Sequence, residues 1–131
     1  MSAEPAEGQD WLMGEFDRCA PFIQRAVDRT EGLFEIQHVR DDVMNGNAQL
    51  WPAPNAALVT RIEFYPTGIR ACNEWLAGGD MDELLKLEPI IAEWAKTKIG
   101  CDRIYLAGRK GWARVLTDYK ASHTVLRKDL K

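Results

Sequence analysis

Ala57-Leu58-Val59-Thr60-Arg61-Ile62-Glu63-Phe64-Tyr65-Pro66-Thr67-Gly68-Ile69-Arg70-Ala71-Cys72-Asn73-Glu74-Trp75-Leu76 is the stretch that decides the fold. Up to Tyr65 it is rich in β-formers and alternates, with Leu58, Thr60, Ile62 and Phe64 on one face and Val59, Arg61, Glu63 and Tyr65 on the other. Pro66-Thr67-Gly68 is a turn, because proline holds the backbone where a β-turn needs it. Ile69–Leu76 returns, so 57–76 reads as an antiparallel hairpin, and Ala77-Gly78-Gly79-Asp80 ends it.

Working back from the hairpin, Ala48–Trp51 is a short strand cut by Pro52 and Pro54. Two helices precede it. Phe16, Cys19, Ile23 and Ala26 recur at helical spacing with Val27 beside them. Pro21 interrupts that run unless it lies in a first turn, so the helix is placed at about residues 20–30 and ends at Gly32. Trp11 and Leu12 are expected to pack under it. Ile36, Val39 and Val43 mark a second helix at about 34–44, stopped by Asn45-Gly46-Asn47. The small, acidic residues 1–10 read as a flexible leader, and 11–131 as a single domain.

Beyond the hairpin, Leu84, Leu87, Ile91 and Trp94 share a helix face, and Asp80 with Glu83 reads as a capping box. Pro89 either kinks this helix or marks a restart at Glu88. Gly100 ends it. Arg103–Ala107 is a short buried strand, Lys110–Lys120 a helix, and His123–Leu130 an alternating last strand. The order α-α-β-β-β-α-β-α-β predicts an α+β domain: a central mixed, mostly antiparallel sheet flanked by helices.

The chain of 131 residues has room for one ordinary domain, and 46% hydrophobic with 28% charged residues is close to the globular average, which argues against disorder. Its formal net charge of −3 hides an asymmetry: residues 103–131 carry eight basic and two acidic side chains. A basic end on an acidic body points to an anionic ligand or partner. Nucleic acid is disfavoured, because those charges spread over a turn, a helix and a strand. No apolar run is long enough to span a membrane, and the acidic start is unlike a signal peptide. The three cysteines, Cys19, Cys72 and Cys101, are widely spaced with no CxxC pair. Reduced thiols in the cytoplasm are therefore expected. His38 and His123 lack partners at metal-ligand spacing, so no metal site is expected.

The element order resembles the GNAT superfamily of N-acyltransferases, where two short helices precede an antiparallel run of strands, a central helix, and a strand–helix–strand close. The segment Ile104-Tyr105-Leu106-Ala107-Gly108-Arg109-Lys110-Gly111-Trp112-Ala113-Arg114-Val115-Leu116 is similar to that of small GNAT-like proteins of tailed bacteriophages, some of them virion or assembly proteins. The resemblance implies acetyl-CoA or another acyl-CoA as acyl donor and an amine-bearing acceptor. It also implies a location in the host cytoplasm or the virion, and dimers occur among such small proteins. Where the family carries Arg or Gln, two residues, Gly, one residue, and Gly or Ala, this chain reads Leu76-Ala77-Gly78-Gly79-Asp80-Met81-Asp82.

The resemblance places the cofactor at Leu76, Ala77, Gly78 and Gly79, with Arg109 and Lys110 near its phosphates. Gly78-Gly79 before a helix suits either a phosphate cradle or a plain turn and cap. Asp80 and Asp82 would repel phosphate there and suit the helix start itself. Arg109 and Lys110 read either as phosphate contacts or as a solvated helix start. Acyl transfer needs a base and a donor. Glu74 stands where the family often keeps a glutamate base, with Glu63 a second choice, although most strand glutamates face solvent. Tyr119 stands about three residues beyond the position of the family's acid tyrosine. Trp51, flanked by prolines, reads either as core or as a protein contact. An enzyme and a non-catalytic GNAT-fold virion, assembly or host-interaction protein thus both remain open.

Overall fold

The computed structural model describes residues 5–107, 112–122 and 125–131. Helix α1 spans Pro5–Asp28 and α2 Ile36–Met44. Strands β1 (Gln49–Pro52), β2 (Ala56–Phe64) and β3 (Arg70–Gly79) follow. Helix α3 is Met81–Trp94, continued by a π-turn over Ala95–Ile99. Strand β4 is Arg103–Leu106 and α4 is Trp112–Val115. The sheet runs β1-β2-β3-β4. Its first two pairings are antiparallel and the last is parallel. This is the mixed α+β architecture expected from the sequence.

Two apolar layers clamp the sheet. Phe16, Cys19, Ile23, Ala26 and Val27 of α1 pack with Val39 and Val43 of α2 against Ala57, Val59 and Leu76. On the other face, Leu84, Ile91 and Ala95 cover Ala56, Leu58 and Cys72. The β2–β3 register slips by one between Val59 and Thr60, so that Leu76 faces Val59 while Glu74 faces Thr60. Trp75 is the extra residue, a β-bulge that turns the strand. It switches β3 between layers: Cys72 joins the α3 layer, whereas Trp75 and Leu76 both join the α1 layer.

Several sequence expectations are corrected. The first helix is not confined to about 20–30. It begins at Pro5, inside the stretch read as a leader, and carries Pro21 within it. Pro21 is exposed, so the carbonyl it leaves without a helix donor sits on the solvent side. Trp11 does not pack beneath the helix and is 62% exposed. Of the two readings of Trp51 the core one holds and needs no correction: its ring meets Trp94 edge-on at 5.0 Å, and its Nε1 donates to Thr60 Oγ1 at 3.0 Å. The last helix is one turn, Trp112–Val115, and leaves helical form before a turn at Thr117-Asp118. No strand forms over 125–131. Leu126 and Leu130 are 89% and 87% exposed, so the alternating pattern has no layer to bury it. Residues 108–111, 123 and 124 of these two expected elements lie outside the described residues.

Close approach of α1 to β3 depends on Gly78. A Cβ there would lie 2.0 Å from the Phe22 carbonyl oxygen, so the helix backbone occupies the space of a side chain. Gly78→Ala should therefore destabilise the fold by about 2–3 kcal/mol in chemical denaturation, through forced displacement of α1. Gly14→Ala, whose Cβ meets nothing within 4 Å, should instead stabilise by about 1 kcal/mol, the helix-propensity gain. Equal effects at the two sites would contradict this packing.

Candidate functional site

Strand β4 pairs with β3 only from Ala71↔Arg103 to Glu74↔Leu106. β3 continues to Gly79. Beyond Glu74 its β4-side edge has no strand partner among the described residues, and a cleft of about 550 Å³ opens there. Arg29, Glu74, Leu76, Ala77, Leu106 and Trp112 help to line it. A cleft at the point where two strands part is a common place for a ligand.

Glu74 stands at the last paired position of β3 and is 1% exposed. The bulge that follows it keeps it on the α3 face. Tyr119, just past the last helical turn, sets its Oη 3.3 Å from Glu74 Oε2 and 2.7 Å from Glu88 Oε1 of α3. Glu74 Oε1 has no hydrogen-bond partner among the described residues. Burial pushes the Glu74 carboxyl up to about 7, the nearby Glu88 carboxylate adds to the rise, and the Tyr119 hydroxyl opposes it. Burial and the same two carboxylates hold the Tyr119 hydroxyl well above its ordinary range. Tyr119 thus keeps its proton and is a poor acid toward a leaving thiolate.

Two of the residues expected at the site therefore meet, Glu74 and Tyr119. Leu76 and Ala77 line the cleft, and Arg29 donates to the Ala77 carbonyl at 2.7 Å. Gly78 and Gly79 do other work. Gly78 faces the α1 backbone, and at Gly79 (φ 105°) a Cβ would lie 2.4 Å from the Asn55 carbonyl oxygen. The start of α3 is already capped, because the Asp80 side chain accepts from the N–H groups of Asp82 and Glu83. The expected capping box does not form. Glu83 instead accepts from the Asn55 N–H and side-chain amide. These residues fit a turn and cap better than a diphosphate cradle. Arg109 and Lys110 lie outside the described residues.

Glu88 was not among the candidates. It falls on the apolar face of α3 between Leu84 and Ile91, and a lone carboxylate on such a stripe was the signal. The remaining reactive groups are elsewhere engaged. Burial pushes the Cys72 thiol up to about 12, which removes it as a nucleophile. His38 Nδ1 accepts from the Glu35 N–H at the start of α2. Among the described residues no cluster of side chains suited to a metal ion occurs, and no helix is long and apolar enough to cross a membrane.

The raised Glu74 value has a stability consequence. Between pH 4.5 and about 7 the unfolded chain ionises this carboxyl while the folded chain keeps its proton. Stability linked to Glu74 is therefore full below that window and lost as pH rises through it. Compared by denaturation at pH values spanning the window, Glu74→Gln should gain about 3 kcal/mol relative to the parent on the alkaline side. Parallel stability–pH curves would contradict the burial of an ionisable carboxyl.

No family model matches the chain, and no match is found among curated protein sequences. The structure is similar to a crystal structure of a Trypanosoma brucei acetyltransferase, with a TM-score of 0.54 and 15% identity. The match covers 73% of this chain and 78% of that one. The chain shares the fold of that acetyltransferase.

Proposed function

We propose that the protein transfers an acyl group from an acyl-CoA thioester to an amine, in the cleft where β4 leaves β3. One observation carries this reading: a buried glutamate is among the residues that line that cleft, one of its carboxyl oxygens has no hydrogen-bond partner among the described residues, and its affinity for a proton is matched to neutral pH. An amine is protonated at that pH and cannot attack until a base removes a proton. A carboxyl titrating near 7 takes that proton more readily than an ordinary glutamate.

The steps follow from the residues. The ammonium N–H meets Glu74 Oε1 and gives up its proton. The freed nitrogen attacks the thioester carbonyl carbon, the C–N bond forms, and the C–S bond breaks. The departing thiolate takes a proton from solvent. Main-chain N–H groups on the unpaired edge of β3 are the donors available to a developing oxyanion. Leu76 and Ala77 lie along that edge. Tyr119 holds Glu74 in place.

A second reading is a non-catalytic relative, as among the phage-borne proteins that the sequence resembles, which binds a protein partner without turnover. It is favoured by Asp80, whose carboxylate fills the helix start where the resemblance places a diphosphate.

The two readings part on amine-dependent thiol release from acetyl-CoA, followed with a panel of primary amines. Transfer predicts release that rises with pH through about 7. Glu74→Gln should lower it by roughly 10²–10³-fold, the usual worth of a general base. No amine-dependent release, or a Glu74→Gln variant as active as the parent, would leave the binding reading in place.

A further inference from the structure

We propose that Glu74 and Glu88 share one proton across the Tyr119 hydroxyl, and that Glu88 is the outlet by which the amine's proton leaves the cleft. The proposal rests on the acyl-transfer reading and adds a residue to it. Its basis is a count of protons. Tyr119 Oη lies within hydrogen-bond distance of both carboxyls, 2.7 Å from Glu88 and 3.3 Å from Glu74. A phenol has one proton and serves one of them. The other contact is a hydrogen bond only when that carboxyl carries a proton of its own. Two bare carboxylates against one hydroxyl would leave two oxygens facing each other with nothing between. The pair therefore keeps one proton, and the phenol reverses its O–H direction as that proton changes side.

The surroundings of Glu74 favour this sharing. Glu88 faces it from α3 and Tyr119 from the segment after α4, and Cys72 is near it on β3. Its register partners are Thr60 on β2 and Leu106 on β4. The Thr60 hydroxyl is already engaged with Gln49 and Trp51. Glu88 is half-buried, whereas Glu74 is 1% exposed. A proton on Glu88 can reach water; one on Glu74 has to be passed along.

The relay balances. In the state that takes part in transfer the shared proton lies on Glu88, which donates to Tyr119 Oη while Tyr119 donates to the ionised Glu74. Glu74 Oε1 receives the ammonium proton and Glu88 gives its own to water. One N–H and one O–H bond break, and two O–H bonds form, one on Glu74 and one on water. The pair again holds one proton, which Glu74 returns to Glu88 through the Tyr119 hydroxyl before the next turnover. Glu88 is a positioning and proton-accepting residue that never touches the substrate.

The test combines carboxyl-carbon NMR titration of the full chain with steady-state kinetics on acetyl-CoA and a primary amine. Glu88→Gln removes the neighbouring charge, so the Glu74 midpoint should fall by roughly one pH unit. Tyr119→Phe should move it upward, which gives a second reading if one variant folds poorly. In kinetics each substitution should lower kcat by roughly tenfold with KM little changed, and the double variant should be no worse than either single one. An unmoved Glu74 midpoint in both variants overturns the shared proton, whether or not the protein turns over. Losses that multiply in the double variant overturn the relay. A shifted midpoint in a parent with no amine-dependent turnover keeps the shared proton and rejects the outlet together with the transfer reading.

Discussion

One extra residue in β3 sets up the site. With strict alternation Glu74, Leu76 and Gly78 would share a face, and either the glutamate would enter the α1 layer or the leucine would leave it. Trp75 absorbs the mismatch as a bulge between the Thr60 and Val59 pairings. Ahead of it Cys72 and Glu74 lie on the α3 side; after it Leu76 and Gly78 lie on the α1 side, where Gly78 meets the Phe22 carbonyl. The bulged residue is itself held in place. The Arg61 guanidinium lies 4.0 Å over the Trp75 ring, and Phe34 packs edge-on against it at 5.1 Å. The same strand thus supports a tightly packed helix on one face and a buried carboxyl on the other.

Burial of that carboxyl is costly unless it is neutral or paired. No cation offsets it among the groups that set its proton affinity; the neighbours are a second glutamate and a phenol. Such an arrangement opposes stability at neutral pH, and a fold selected for stability alone would place an apolar residue there. Strain of this kind is common where a proton must be exchanged. The parting of β3 from β4 falls at Glu74, the last position of β3 paired with β4, and Glu74 is among the residues that line the cleft there.

The sheet was legible in the sequence because its signals are local. The alternation from Leu58 to Tyr65 and the Pro66-Thr67-Gly68 turn specify a hairpin with no help from the rest of the chain. Pro21 misled the placement of the first helix, since a buried stripe from Phe16 to Val27 outweighs one lost hydrogen bond on the exposed side. The tail misled in the opposite sense: its alternation is real, but a strand requires a neighbour and a layer to bury its face. Glu74 and Tyr119 could be proposed separately, yet their meeting depends on how the chain leaves α4, which no local pattern encodes. Glu88 was readable in principle as the one charge on the stripe of Leu84, Ile91 and Ala95. The two glycines were read for a ligand, whereas the backbone of α1 and the turn at Asn55 use the space.

Acyl transfer in this cleft requires the thioester to lie along the unpaired edge of β3 beside Glu74. Backbone amide shifts of isotope-labelled protein, followed as coenzyme A is added, test it most directly. Saturable shifts are expected at Trp75, Leu76 and Ala77, with smaller changes at Asp82 and Glu83, whose amides Asp80 already holds. Shifts concentrated at the start of α3, or none at the β3 edge at saturating ligand, would contradict it.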